Sequence, residues 1–105
     1  LIMTASKLDE IIWLLVNSIP KGKIASYGQI ARMAGFPNHA RYVGAVLKKL
    51  PKNTTLPWHR VLNAKGEIAF PENSGKYQKQ KSLLLAEGIV FKNKRISDLS
   101  YWWEQ

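Results

Sequence analysis

Cysteine is absent from the 105 residues. That excludes a disulfide framework, a thiolate metal site and a cysteine nucleophile. It is also compatible with a reducing compartment. Histidine is scarce: His39 and His59 are the two present, twenty residues apart. With no cysteine beside them they make a poor metal pair, so neither a metal nor a cofactor is expected. Long hydrophobic runs are missing as well. The longest, Ile11 to Val16, falls far short of the roughly 20 apolar residues of a membrane span. No secretory signal is visible. A cytoplasmic location without a membrane partner is expected, associated with the nucleoid if the source is bacterial. Leu1 and Ile2 stand before Met3, which puts the native start at Met3 or outside the given residues.

Acidic residues are few. Seven Asp and Glu face sixteen Lys and Arg, a formal net charge of +9. A polyanion is therefore the first partner to consider, nucleic acid ahead of an anionic membrane surface. The competing reading is a basic protein with no special partner. Hydrophobic residues make up 46% of the chain and charged residues 22%, a balance that argues for a folded domain and against disorder. The length fits one domain, 1–105, with one small core. No repeat, low-complexity tract or linker divides it, and a monomer is expected.

Apolar residues recur at helical steps in Leu8, Ile11, Ile12, Leu15 and Val16, which predicts a helix from about Ser6 to Ser18. Ser6 is its N-cap, with Asp9 and Glu10 in the first turn. Trp13 falls off the stripe and is expected to pack in the core. Pro20 and Gly22 stop the helix. In "IPKGKIASYGQIARMAG" a turn leads into a short helix capped by Ser26, with Ile30 and Ala34 inward and Gly35 closing it. Asn38 is the expected N-cap of the next helix. Val43, Val46, Leu47 and Leu50 form its apolar stripe, and Pro51 ends it. Two short helices joined by "GFPN" make a helix-turn-helix pattern, with Ala31, Ala34 and Gly44 allowing a close crossing.

Beyond Pro51, Val61-Leu62 and Glu67 to Phe70 flank "NAKG", which predicts a small hairpin or wing. "PENSGK" reads as a loop. "YQKQKSLLLAEG" reads as a helix with Leu83, Leu84 and Ala86 inward, Lys76, Lys79 and Lys81 outward, and Gly88 at its end. The tail begins strand-like and ends in an aromatic cluster. The fold class expected is mainly α: a winged helix-turn-helix DNA-binding domain with a small β-hairpin.

Candidate chemistry centres on "LPWHRV", residues 56–61. His59 and Glu87 suit a base and the carboxylate that orients it. They suit equally a structural hydrogen bond. Arg41 lies at the start of the second helix of the helix-turn-helix, the end that projects toward nucleic acid. Lys21, Lys23, Arg32, Lys48 and Lys49 on neighbouring segments suit phosphate contacts, whose binding would weaken steeply with salt. Tyr27 and Trp58 fit either core packing or ligand contact.

In order and spacing, "IPKGKIASYGQIARMAG", "ARYVGAVL", "LPWHRVLNAKGEIAF" and "SGKYQKQKSLLLAEG" resemble the DNA-binding domain of the O6-alkylguanine-DNA alkyltransferases, from about Ile19 to Gly88. "PWHRV" is similar to the alkyltransferase-like branch, in which the acceptor cysteine of "PCHRV" is replaced. The resemblance implies minor-groove binding through the helix-turn-helix, including Ala40 and Gly44. It implies that Arg41 is a finger filling the stack behind an extruded nucleotide. Tyr27 would help rotate that nucleotide out and hydrogen-bond the flipped guanine. Extrusion costs a few kcal/mol of unstacking, which the finger and pocket must offset.

The lesion pocket implied by the resemblance consists of Tyr27, Leu47, Trp58, Val61, Asn73 and Ser74. Trp58 and Val61 would offer backbone carbonyls to the guanine amino group, and Ser74 its backbone amide to O6. His59 and Glu87 match the pair that activates the cysteine. Trp58 cannot replace a thiolate, because an indole N–H is a donor only. Leu50 stands where the alkyltransferases carry a bracing Asn. Asn73 stands where they carry a tyrosine walling the alkyl pocket, so a wider pocket tolerating alkyl groups larger than methyl is expected. The implied function is recognition of O6-alkylguanine in duplex DNA without repair. It includes nucleotide flipping, exclusion of alkyltransferases and hand-over to nucleotide excision repair proteins. The alternatives are a hydrolase or glycosylase using His59 and Glu87, and a sequence-specific repressor.

Overall fold

The computed structural model describes residues 6–104. The start expected at Met3 lies outside them. Helix α1 spans Lys7–Asn17, and the Ser6 hydroxyl caps it by accepting the Asp9 N–H at 3.1 Å. Its buried residues are Ile12 and Val16, with Leu8, Leu15 and Trp13 packed beside them. Ile11, expected inward, is 38% exposed. A single i, i+4 seam is enough to seat this helix on the domain, and Trp13 fills the place beside it.

Strand β1 (Ala25–Ser26) runs straight into helix α2 (Tyr27–Met33). Ser26 serves both, ending the strand and capping the helix through its Oγ, which accepts the Gln29 N–H at 3.0 Å. At the other end Gly35 takes φ +90°, and the Phe36 N–H reaches the Ala31 carbonyl at 2.9 Å. This is a left-handed cap that satisfies the last carbonyls of the helix. Ala31 is the buried alanine; Ala34 is half-buried. Helix α3 (Ala40–Lys48) follows, and Val43, Val46 and Leu47 are buried as their spacing predicts. Its N-cap is His39 rather than Asn38, without a side-chain cap bond. The His39 N–H instead donates to the Phe36 carbonyl at 3.0 Å, and the two rings lie 5.2 Å apart. That local turn delays the helix by one residue.

The expected hairpin is corrected. Strand β2 (Val61–Leu62) pairs with β1, in parallel, with Ala25 opposite Val61 and Ser26 opposite Leu62. The "NAKG" segment does turn tightly: the Asn63 side chain accepts the N–H groups of Lys65 and Glu67 at 3.0 and 2.9 Å. The residues after it do not continue a ladder. The Gly66 carbonyl accepts the Ile96 N–H at 2.9 Å, so the turn is bound to the C-terminal tail. A Cβ on Gly66, which has φ +79°, would collide with the Ile96 carbonyl oxygen. Ile68 is then buried as an anchor, not as a strand residue.

Helix α4 spans Gly75–Ala86, with Ser74 as N-cap and Gly88, at φ +86°, just past its end. Tyr77, Gln80 and Leu84 are its buried residues. Leu83 and Lys81 are half-buried, and Ala86, expected inward, is exposed. The tail is less strand-like than its composition suggests. It turns at Lys92–Arg95, then lays Trp102 beside Ile24, where the Trp103 N–H donates to the Ile24 carbonyl at 2.7 Å.

The two short strands divide the interior. Ala25 and Val61 belong to a core with α1, α2 and α3, whereas Ile24 and Leu62 belong to a second core under α4 and the tail. Each fully buried Ile, Leu or Val there contributes about 1.5–3 kcal/mol. No helix among the described residues is long and apolar enough to cross a membrane.

Candidate nucleic-acid interface

A groove of about 610 Å³ opens between the helix-turn-helix and the chain after β2. Tyr27, Ala40, Arg41 and Gly44 all line it, together with Lys48, Asn63, Ala64 and Ala69. Tyr27 enters from the first position of α2, and its ring packs on the core. Burial raises its pKa above the ordinary phenol value, so the hydroxyl stays a neutral donor and acceptor. Gly44 faces the ring: a Cβ there would sit 3.8 Å from Tyr27 Cε1, an ordinary van der Waals contact. Arg41 is exposed on the first turn of α3 and makes no ion pair or hydrogen bond with any described residue. Its guanidinium is free to project.

Next to this groove, and sharing Ala64, lies a basic cleft of about 550 Å³ lined by Arg32, Lys65 and Arg95. Of the other cations expected at phosphates, Lys48 lines the groove, whereas Lys23 is tied into the fold by its bond to the Ser100 carbonyl at 2.6 Å.

The remaining pocket residues lie outside the groove lining. Leu47, expected on the pocket surface, belongs to the first core at 8% exposure. The side chain of Val61 is fully buried; its carbonyl accepts Gln80 Nε2 at 3.0 Å. The Ser74 amide, assigned to O6 by the resemblance, already donates to the Pro71 carbonyl at 2.9 Å. Its hydroxyl caps α4 by accepting the Tyr77 N–H at 3.2 Å. Asn73 is exposed in the loop before α4. Trp58 stands half-buried on a 3-10 turn, Trp58–Arg60, that leads into β2. It meets His59 and Phe70 edge to face, at 6.2 and 6.3 Å between ring centres, and Lys76 Nζ lies 4.3 Å from its centroid.

His59 and Glu87 do come together, with Nε2 to Oε2 at 2.6 Å. The carboxylate has more partners than the expected pair. Arg60 donates through Nε and Nη2 at 3.0 and 2.9 Å, and the Gly22 N–H at 2.8 Å. Burial opposes ionisation of Glu87. The hydrogen bonds from Arg60, Gly22 and His59, with the Arg60 charge, outweigh it and pull the pKa down to about 2. Arg60 also donates to the Ile19 carbonyl at 2.8 Å. The cluster thus ties the end of α4 to the 3-10 turn and to the loop after α1.

Sequence reasoning missed Arg60 and Gln80. No local spacing links residues 60 and 87. Gln80 had a signal, since Tyr77, Gln80 and Leu84 share the three- and four-residue steps of one helix face. It is fully buried, and its Nε2 holds both the His59 and the Val61 carbonyls, at 3.1 and 3.0 Å.

A helix-turn-helix with a lined groove at the first turn of its second helix, in a chain that also carries a His–Glu pair without a thiol, defines a DNA-binding domain of the alkyltransferase type. Residues 7–89 match the family described as 6-O-methylguanine DNA methyltransferase, DNA binding domain. The chain belongs to that family. It is 44% identical over 93 residues to a DNA base-flipping protein of Escherichia coli, covering 88% of this chain and 70% of that one. It is 42% identical over 86 residues to alkyltransferase-like protein 1 of Schizosaccharomyces pombe, covering 79% and 80%. A solved structure of the S. pombe protein, in complex with damaged DNA containing O6-carboxymethylguanine, superposes with a TM-score of 0.88 at 34% identity, over 98% of this chain and 100% of that one. With no cysteine anywhere, this chain is a relative of the methyltransferases that lacks their alkyl acceptor.

Proposed function

We propose that the protein binds O6-alkylguanine in duplex DNA from the minor groove, flips the nucleotide and holds it without removing the alkyl group. The observation that carries this reading is the pairing in one groove of Arg41, exposed and unpartnered, with Tyr27, fixed against the core. A rigid ring beside a free cation suits a device that rotates one nucleotide and fills the space behind it. The S. pombe relative bound to damaged DNA supports the same role.

Trp58 occupies the acceptor position implied by the family motif and offers an apolar ring instead of a nucleophile. The held complex would shield the lesion from alkyltransferases and present it to nucleotide excision repair proteins. Its place of action would be cytoplasmic, at the nucleoid in a bacterial cell. The hydrolytic alternative is disfavoured by the saturation of Glu87, whose oxygens serve Gly22 and Arg60 as well as His59.

The test is a binding titration of duplexes carrying a series of O6-alkylguanines beside plain guanine, with the alkyl group labelled. Tighter binding of the lesions with the label retained is expected. Equal affinity for all duplexes would point to the repressor reading. Loss of label or an abasic product would point to an enzyme.

A further inference from the structure

We propose that Lys76 makes the protein selective for O6-alkyl adducts that end in an anionic group. The inference rests on the function proposed above, in which Trp58 stands at the alkyl-acceptor position. An acceptor must come within bonding distance of the alkyl carbon, so the residue in its place meets whatever is attached to O6. Lys76 Nζ lies 4.3 Å from the centre of the Trp58 ring and 6.0 Å from that of Phe70. The adduct therefore enters an aromatic corner that already carries a cation.

That cation has no carboxylate partner among the described residues. The nearby acid, Glu72, pairs with Lys94 at 2.9 Å. Lys76 is exposed on the first turn of α4, and its contact with the indole face is a cation–π interaction. Such a contact is weaker than a charge-assisted hydrogen bond to a carboxylate. An adduct ending in a carboxylate would draw the ammonium off the ring, while its methylene rests on the indole. An adduct ending in a methyl group offers the ammonium nothing in exchange. The effect has to be local. An anionic adduct adds charge to a polyanion, and the net charge of the protein acts on all duplexes alike.

The experiment compares four duplexes of one sequence, carrying O6-carboxymethylguanine, its neutral isostere O6-carbamoylmethylguanine, O6-methylguanine or guanine. Wild-type protein, Lys76→Met and Lys76→Arg are titrated against each. The readout is the ratio of Kd values for isostere and carboxymethyl adduct, which cancels the loss of one charge toward DNA in general. Wild type should favour the carboxylate about tenfold, as expected for one charge-assisted hydrogen bond. Lys76→Met should bring the ratio close to one, and Lys76→Arg should keep most of it. A wild-type ratio near one, or an undiminished ratio in Lys76→Met, overturns the role of Lys76 and leaves lesion recognition standing. Adducts bound no more tightly than guanine would overturn both readings.

Discussion

Glu87 Oε1 accepts the backbone N–H of Gly22 at 2.8 Å, across 65 positions of sequence. The same carboxylate holds His59 and Arg60, so one side chain joins the loop after α1 to the turn that carries Trp58. In an enzyme of this pattern a carboxylate behind a histidine tunes a base. In this chain the pair has no thiol to serve, and the extra partners define a structural joint.

Glu87→Gln should destabilise the fold by roughly 3 kcal/mol at neutral pH, because it leaves Arg60 half-buried without its counter-charge. The sign with pH follows from the depressed pKa. The unfolded carboxyl titrates near 4.5 and the folded one at about 2, so its stabilisation is complete above the first value and disappears as pH falls through the second. Denaturant unfolding of both proteins at pH 7 and pH 3 checks this. The difference between them should shrink at pH 3, and a constant difference would show that the charge of Glu87 is not what stabilises the joint.

Arg41→Ala separates binding from folding. The side chain is exposed and touches no described residue through a polar contact, so stability should change by less than about 0.5 kcal/mol. Lesion affinity should fall at least about tenfold, since the unstacking cost of extrusion is then less well offset. A fluorescent base placed next to the lesion reports the flipping. Undiminished affinity with an undisturbed stack would remove Arg41 from the proposed role.

Tyr27 should divide by atom. Its ring packs on the core, so Tyr27→Ala should cost about 2 kcal/mol of stability and also abolish rotation of the nucleotide. Tyr27→Phe keeps the ring and loses the hydroxyl. It should retain the fold and much of the flipping, with lesion affinity reduced by a few fold, the size of one neutral hydrogen bond. Thermal melts and lesion titrations of the three proteins test the division, and equal binding losses in both variants would contradict it.

The helix-turn-helix was legible because each of its signals is local. Ser26 caps, Gly35 takes a conformation that side chains disfavour, and Val43, Val46 and Leu47 repeat at helical steps. The wing was misread because the pairing that matters is distant. Two residues of β2 meet two of β1, with Ala25 opposite Val61, and no alternation over so short a stretch identifies a partner. Gly66 was legible as a turn glycine, but its contact with the Ile96 backbone lies thirty residues on. Within the candidate site, the resemblance gives Tyr27 and Arg41 a common task on one nucleotide, and both line one groove. Arg60 and Lys76 were not legible, because what defines them is a partner on another element, and for Gln80 the helix face was legible but not the two carbonyls it holds.

Trp58→Cys tests whether the retained surroundings are still a catalytic site. The variant places a thiol one residue before His59, and His59 keeps its bond to Glu87 at 2.6 Å. Two features oppose transfer. Leu50, which the resemblance sets at the place of a bracing Asn, packs against the first core instead of offering an amide. Removing the indole also takes away the ring that Phe70, His59 and Lys76 contact, so the new thiol would stand in a gap that its neighbours are free to fill. A thiol not lowered in pKa is only a few per cent thiolate at neutral pH. Incubation with a duplex carrying a labelled O6-methylguanine, followed by counting of protein-bound label, should show little or no transfer. The double variant Leu50→Asn, Trp58→Cys should transfer more than the single one. Rapid stoichiometric labelling of Trp58→Cys alone would mean that the His59–Glu87 pair suffices and that the bracing residue is dispensable.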